Sequence, residues 1–577
     1  MLQLIQKKNK TQTIMLLILS ITFLCMANYT FDRKVAVSGD NANYYILGKS
    51  IAQGKGITNI HYTDETPASR FTPGYPVIIG GAMQIFGAEI TGIKLLNYLF
   101  LLGAVILLFF IIKQITGSEN LAFVTALLCV MNVHLLSYAT IIMSEIPFLF
   151  FSLLTFFFLL RSKQNFEWKD YYFWLFLLAL VGSYYVRTIG VALLVASCGY
   201  FVFSKRWKQL GVTVIGFVIV ALPWYLRTKS SGGNNYANQL SLINPLRPEM
   251  GHMKPGDWMD RIIRNLDRYF TKEIPTTIFP KDIDYSLPPT VADLLFGIFI
   301  VAAIIYGIFR LKQARILIGA YCAATFAIVL LWPEVWFGPR FIVPLIPLFM
   351  LGVANTIIIG VTWLSRWLKL KTTPAIQSTI VYVPLLLILF SFGEMGALHQ
   401  RGKEAHPGPY HRYVQLAQWT EKNIDKNAVI ACRKDALFYL FSERKVTLYK
   451  FTDNPEEFLD DLKAKGVTHV VFDELGYSSY GKYLLPAAQH YSGKFVRVFG
   501  FDDLPTQLCE LRTDLGYFGD RKNGLRHGQG RFIWFDGKVY DGQWENNQKN
   551  GRGVIYDAAG QVIEKGIWKD NVLIQKE

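Results

Sequence analysis

Two carboxylates and a few arginines draw attention because of where they fall in the chain. Asp40 lies in Ser38-Gly39-Asp40-Asn41-Ala42-Asn43-Tyr44-Tyr45, just past a long apolar run, and Glu145 lies in Ser144-Glu145-Ile146-Pro147 at the lip of another. A carboxylate placed there can take or orient the proton of an attacking hydroxyl. It can also do no more than cap a helix, since Asp40 precedes a helix start at Asn41, and Glu145 can snorkel or cap in the same way. An ionisable group at the edge of hydrocarbon is costly, which argues for a role beyond packing. Arg340, in Trp336-Phe337-Gly338-Pro339-Arg340-Phe341, offers paired donors that match phosphate oxygens. Trp332 and Trp336 nearby keep open the reading of an interfacial anchor. Arg70, before Phe71-Thr72-Pro73-Gly74-Tyr75-Pro76, and Arg187, in Tyr185-Val186-Arg187-Thr188, are further phosphate candidates. Arg227, after Leu222-Pro223-Trp224-Tyr225, reads as an anchor. His61, Asp64 and Glu65 form either a metal or acceptor site or a solvated loop.

The elements that must position these residues are membrane helices. The chain of 577 residues is 52% hydrophobic and 15% aromatic, with a positive mean hydropathy, which is too apolar for a soluble enzyme of this size. The runs 15–25, 95–112 and 298–308 carry no charge, Lys94 standing at the edge of one. Each sits in a stretch long enough for a helix to cross about 30 Å of hydrocarbon, and none alternates as a barrel strand does. About eleven spans are expected, at 14–30, 91–112, 120–137, 142–160, 171–186, 189–204, 209–226, 291–310, 316–333, 341–361 and 376–396. The formal charge of +16 would suit a nucleic-acid binder, but the basic residues gather in alternate short turns. These are Lys7, Lys8 and Lys10; Arg161, Lys163 and Lys169; Lys205, Arg206 and Lys208; Arg310, Lys312 and Arg315; and Arg366, Lys369 and Lys371. That is the positive-inside pattern, and it argues against nucleic acid as a partner. It places the N-terminus in the cytoplasm of a bacterial inner membrane and, with an odd span count, the C-terminus in the periplasm. The first span lacks a small-residue cleavage site before Phe31 and reads as an anchor.

Two long loops, 31–90 and 227–290, then face the periplasm. Gly232, Gly233, Asn234 and Asn235 read as a turn. Trp258, Met259, Ile262, Ile263, Leu266 and Phe270 have the spacing of an amphipathic helix, lying on the membrane surface or packed on the other loop. Residues 400–512 alternate helix and strand, with helices at 411–423 and 455–465 and strands at 428–432, 467–472 and 495–499, which suggests a small α/β domain. Of six cysteines, Cys25, Cys129, Cys198 and Cys322 fall in spans. Cys432 and Cys509 fall in the tail, where spacing alone leaves a disulfide open, and no cluster has zinc spacing. Residues 517–572 repeat themselves: Tyr517-Phe518-Gly519 returns as Tyr540-Asp541-Gly542, Gly528-Gln529-Gly530 as Gly551-Arg552-Gly553, and a third copy starts near Gly566-Ile567-Trp568.

The tail repeat resembles the MORN repeat, a β-hairpin unit that buries its face by stacking on its neighbours. The order of Asp40, Tyr44-Tyr45, Ala52-Gln53-Gly54-Lys55-Gly56, Pro73-Gly74-Tyr75-Pro76 and Ile85-Phe86-Gly87 resembles the GT-C superfamily of membrane glycosyltransferases, in particular its protein mannosyltransferase and aminoarabinose transferase branch. The resemblance covers about 10–400. It implies a polytopic α-helical membrane domain over 1–399, followed by a small periplasmic α/β domain over 400–512 and a β-hairpin array over 513–577. It implies transfer of a sugar from a polyprenyl-phosphate donor to a periplasmic glycan, lipid or protein acceptor, with inversion at the anomeric carbon. Asp40 would be the catalytic base, Glu145 would assist the acceptor or a metal, and Arg340, Arg70 and Arg187 would hold the lipid phosphate. Tyr44, Tyr45 and Tyr75 would line the substrate site. Many relatives carry a second acid directly after the aspartate, where this chain has Asn41. No cofactor is required, and a divalent metal is left open. A lipid-linked glycan transporter or flippase would tend to show symmetric halves and mid-bilayer helix breaks, but the spans show no clear repeat and the outer loops are longer than a simple carrier needs. A non-catalytic scaffold built around the repeat is the other alternative.

Overall fold

A computed structural model describes residues 2–577 apart from 232–234, 312–313, 371–372, 492 and 503. The turn expected at Gly232, Gly233 and Asn234, and the basic residues Lys312 and Lys371, lie outside the described residues. The chain divides into two compact units, Met1–Thr58 with Pro67–Glu404, and Asn59–Thr66 with Ala405–Glu577.

In the first unit every stretch expected to span is helical. Among the described residues, six helices are long and apolar enough to cross a membrane, with a seventh if Glu119–Val130 and Val133–Ala139, bent by 58°, make one span. Glu145–Leu159, Tyr171–Val186, Thr188–Phe203 and Arg315–Val329 are apolar but shorter, so helix length alone does not establish eleven crossings. The polar residues explain the shortness. Glu145 opens its helix, and Arg187 takes extended backbone (φ −150°, ψ 134°) that separates two helices. Loop 31–90 contributes two helices of its own, Asn41–Ala52 and Gly74–Phe86.

The expected amphipathic helix is present as Pro255–Arg268, with polar residues both inside and outside. Arg261 and Asn265 are buried, whereas Met259, Ile263 and Leu266 are exposed. Arg261 and Asn265 turn inward because they find backbone acceptors there, while Asp260 and Arg264 stay exposed. Asn265 Nδ2 donates to the carbonyls of Leu330 and Trp332, both at 2.8 Å, and Arg261 donates to those of Leu240 and Leu242. The helix is thus tied to the segments around 240–242 and 330–332. A short π-helix, Tyr269–Glu273, extends it.

The second unit begins with a five-stranded mixed sheet in the order β2-β1-β3-β5-β4. Its strands are β1 Val429–Ala431, β2 Lys445–Thr447, β3 His469–Phe472, β4 Phe495–Gly500 and β5 Gln507–Leu511. β1 pairs in parallel with β2 and β3, and β5 closes the sheet antiparallel. The helices Gly408–Asn423 and Pro455–Ala464 lie within a residue or a turn of the expected limits. Cys432 and Cys509 are buried free thiols, so no disulfide joins them. Cys432 follows β1 and Cys509 lies on β5, with β3 between them. Two strand spacings amount to about 9.6 Å, beyond the Cα reach of a bridge. The tip of loop 31–90, Asn59–Thr66, also joins this unit. The Val446 N–H donates to the His61 carbonyl at 2.8 Å, Lys445 Nζ donates to the carbonyls of Ile60 and Tyr62, and Tyr62 donates to Asp435 at 2.6 Å.

The repeats form a six-stranded antiparallel sheet in chain order, β6 Gly516–Lys522, β7 Leu525–Ile533, β8 Val539–Glu545, β9 Gln548–Tyr556, β10 Val562–Lys569 and β11 Val572–Lys576. The turns Asn523-Gly524, Asn546-Asn547 and Asp570-Asn571 all have positive φ, the mirror-type turn that suits the twist of a hairpin. The Tyr517 ring lies over Gly530 and the Tyr540 ring over Gly553, in places a side chain would fill. The next unit closes each pair, with Trp544 Nε1 donating to the Gly530 carbonyl at 2.9 Å and Trp568 Nε1 to that of Gly553 at 3.2 Å. Gly530→Ala should therefore destabilise the array by about 1–3 kcal/mol. Faster proteolysis within 513–577, with membrane extraction unchanged, is the expected reading. Equal resistance would show that the ring is free to move aside.

Candidate active site

Asp40 is placed by a strap that Lys94 and Asn41 hold. Lys94, buried at the start of Ile90–Thr116, donates through Nζ to the carbonyls of Asp32 (2.7 Å) and Lys34. Sequence reasoning noted Lys94 as the one charge at the edge of its run but gave it no task. A lone buried ammonium in an apolar helix was the signal available. Asn41, where many relatives carry an acid, acts as a brace. Its Nδ2 donates to the Ser38 carbonyl at 2.6 Å, and its Oδ1 accepts the Ile142 N–H at 2.8 Å. The strap is thereby tied to the turn that precedes Glu145. Although Asp40 is the N-cap of Asn41–Ala52, its side chain makes no capping bond. The carboxylate points elsewhere.

It points to arginines. Arg340 NH2 donates to Asp40 Oδ2 at 2.8 Å, while Arg340 Nε donates to Glu145 Oε1 at 2.6 Å. Arg187 NH1 reaches the same Glu145 oxygen at 2.6 Å and Ser144 Oγ at 3.1 Å. Arg70 NH2 lies 3.5 Å from Asp40 Oδ1. The five residues singled out in the sequence, spread over 300 positions from Asp40 to Arg340, thus meet in one cluster. Arg187 is brought in by close packing at Gly74, where a Cβ would lie 2.6 Å from the Tyr185 carbonyl. Thr72 Oγ1 donates to the Val186 carbonyl at 3.0 Å beside it. Arg227 pins the strand before Arg70, donating to the carbonyls of Ala68 and Ile57 at 2.8 and 2.9 Å.

Glu145 has no exposed side-chain area and Asp40 has 15%. Asp40 is open to a ligand, whereas Glu145 is covered by the arginines paired with it. Burial pushes the Asp40 carboxyl up, but the charges of Arg340, Arg70 and Arg187 and the Arg340 hydrogen bond outweigh it. They hold Asp40 below the ordinary carboxylate value. Three guanidiniums against two carboxylates leave the cluster one positive charge in excess, with Arg70 the most exposed of the three at 48%. Such a set suits an anion. It does not suit a divalent cation, because both carboxylates are already neutralised and, among the described residues, no three His, Cys, Asp or Glu side chains converge. A cavity of about 170 Å³ opens beside Arg70, lined also by Thr188, Trp224, Tyr225 and Lys229. A larger one of about 470 Å³, beside Thr116 and Arg310, lies at the other end of Ile90–Thr116. That helix of 27 residues is about 40 Å long.

The three tyrosines stand behind this cluster. Tyr44 shares a hydrogen bond with Ser144 Oγ at 2.9 Å, Tyr45 donates to the Ala88 carbonyl at 2.9 Å, and Tyr75 donates to Asn97 Oδ1 at 3.0 Å. All three are buried. They form a supporting wall, and a substrate would reach their hydroxyls only by displacing those partners. Glu65 pairs with Lys445 at 2.7 Å in the second unit, so His61, Asp64 and Glu65 do not form a metal site there.

Solved structures share this architecture. The archaeal oligosaccharyltransferase AglB from Archaeoglobus fulgidus, in complex with an inhibitory peptide and a dolichol-phosphate, matches with a TM-score of 0.55 at 13% identity, over 85% of this chain and 73% of that one. ArnT from Cupriavidus metallidurans, bound to undecaprenyl phosphate, matches with a TM-score of 0.53 at 13% identity, over 86% and 97%. The fold is that of the GT-C enzymes. Residues 69–231 match the family of dolichyl-phosphate-mannose-protein mannosyltransferases, and 517–539 and 540–562 match the MORN repeat. A comparison with curated proteins found no match. The Pro-Gly-Tyr-Pro segment falls within the mannosyltransferase-family match and the glycines of the first two tail copies within the repeat match, while Asp40 lies outside both.

Proposed function

We propose that this chain is a membrane glycosyltransferase that moves a sugar from a polyprenyl-phosphate donor to an acceptor on the outer face of the membrane. The observation that carries the reading is the cationic cluster itself. An ionised, partly exposed carboxylate is held among three guanidiniums that exceed the local negative charge. The fold it shares with enzymes solved with dolichol-phosphate and undecaprenyl phosphate supports the choice of anion.

In this mechanism the donor phosphate takes Arg340 and Arg70 away from Asp40. The freed carboxylate accepts the proton of the acceptor nucleophile as its bond to the anomeric carbon forms. The bond from that carbon to the phosphate oxygen breaks on the opposite face, so configuration inverts. The electron pair leaves with the lipid phosphate, whose charge the guanidiniums stabilise. Glu145 is a positioning residue that fixes Arg340 and Arg187. No step is assigned to a metal. The eleven crossings, the cytoplasmic N-terminus and the placement in a bacterial inner membrane belong to this proposal, resting on the alternating basic turns.

Purified protein in lipid vesicles, offered a panel of radiolabelled polyprenyl-phosphate sugars with protein, lipid and glycan acceptors, tests it. One labelled product is expected. Export of an intact lipid-linked sugar without product would favour a flippase instead. Thiol labelling of Ser38→Cys from the cytoplasmic side alone would overturn the orientation.

A further inference from the structure

The loop that delivers Arg340 is held at Leu330, Trp332, Glu334 and Gly338 by the helix Pro255–Arg268 and its π-helical extension. Asn265 binds the Leu330 and Trp332 carbonyls. Arg264 Nε donates to Glu334 Oε2 at 2.8 Å, and Arg268 NH1 to the Glu334 carbonyl at 3.0 Å. Tyr285 and Phe337 pack with ring centroids 4.6 Å apart. At the end of this row Glu273, with no exposed area, accepts the Gly338 N–H through Oε1 at 2.8 Å and pairs with Arg268 at 2.9 Å. Gly338 has φ +102° and stands two residues before Arg340. This backbone suits glycine, and a single hydrogen bond from its N–H to the buried acid fixes it. The second oxygen of Glu273, Oε2, is buried with no protein partner, so the carboxylate is retained at a desolvation cost that packing alone does not require.

We propose that Glu273 is the positioning residue for Arg340: by holding the Gly338 N–H it sets the register in which the guanidinium bridges Asp40 and Glu145. This rests on the proposed function only where sugar transfer is the readout. The polar groups facing Glu273 are Arg268 and the phenols of Tyr269 and Tyr285. Lys272 in the same turn is engaged by the carbonyls of Asp284 and Leu287. The helices Ile274–Ile278 and Val291–Phe309, packed on the turn, bring only Asp293, which caps its own helix at Thr290 and pairs with Lys281. Burial pushes the Glu273 carboxyl up, against the pull of Arg268 and the Gly338 N–H, to about 7. Below that pH the bond to Gly338 loses its charge assistance and the loop loosens.

The full-length protein in lipid vesicles is compared as wild type, Glu273→Ala and Glu273→Gln. Hydrogen–deuterium exchange over 333–341 needs no substrate. Above pH 7 it should speed up in Glu273→Ala and to a lesser extent in Glu273→Gln, which keeps an acceptor for Gly338 but no charge and should match the wild type below that pH. Transfer should fall about 10- to 100-fold in Glu273→Ala, since a misplacement near 1 Å costs about that much. In the wild type it should rise as pH passes upward through 7. In Glu273→Gln it should stay level across that range at the wild type's acid plateau, because Asp40 remains ionised throughout. Unchanged exchange in Glu273→Ala, or a surviving rise through pH 7 in Glu273→Gln, overturns the proposal. If exchange responds as expected while the wild type transfers no sugar, the clamp stands and the glycosyltransferase reading falls.

Discussion

Asp40→Asn should lower sugar transfer by about 100- to 10,000-fold, the range that positioned general bases contribute, while the protein inserts and folds as before. The amide keeps the size of the side chain and makes no difference to capping, since the carboxylate caps nothing. It cannot accept a proton from an incoming nucleophile. It also removes one of the two charges that hold Arg340, so donor binding should be retained or strengthened, the guanidinium being freer to meet phosphate. Transfer and binding of undecaprenyl phosphate, measured on the same preparation, separate the two effects. Transfer at the wild-type rate would remove Asp40 from the chemistry and with it the mechanism.

Arg340→Ala should lose both transfer and donor binding, and it should also lower the unfolding temperature in detergent. The arginine is the bridge between two carboxylates, one of them fully buried. Stripping the partner from a buried ion pair costs about 3–5 kcal/mol. Because Arg187 continues to hold Glu145 at 2.6 Å, the lower end of that range is expected. Arg340→Lys is the informative companion. An ammonium can satisfy one carboxylate but cannot span both as Nε and NH2 do. Stability should recover in part, transfer hardly at all. If Arg340→Ala unfolds like the wild type and still turns over, the bridge seen here has no energetic weight.

Most of the site was readable because membrane sequences make charge conspicuous. Asp40, Glu145, Arg187 and Arg340 each break an apolar pattern or stand at its rim, and a polar residue there is rare enough to name in advance. Their convergence was not readable, since it depends on Gly74 packing against the Tyr185 carbonyl and on Asn41 tying two loops together. Glu273 escaped notice for a different reason. It sits in a polar loop where acids are ordinary, and only the burial imposed by Val291–Phe309 and the 330–338 segment makes it unusual. The amphipathic helix was located by its period, but a period does not say which residues turn inside, and here the carbonyls of Leu240 and Leu242 drew Arg261 inward and those of Leu330 and Trp332 drew Asn265. In the tail, glycine spacing disclosed the repeat, whereas the separation of Cys432 and Cys509 follows from strand order, which spacing does not encode.

The way each tail hairpin is sealed has a consequence for how this region can change over evolutionary time. A tyrosine laid across a bare glycine pair is completed by the tryptophan of the hairpin that follows, Tyr517 by Trp544 and Tyr540 by Trp568. Dependence therefore runs only between adjacent copies. Duplication or deletion of one copy would alter the reach of the tail by a fixed increment and leave the remaining joints intact, so its length is free to vary while the membrane-embedded chemistry stays as it is.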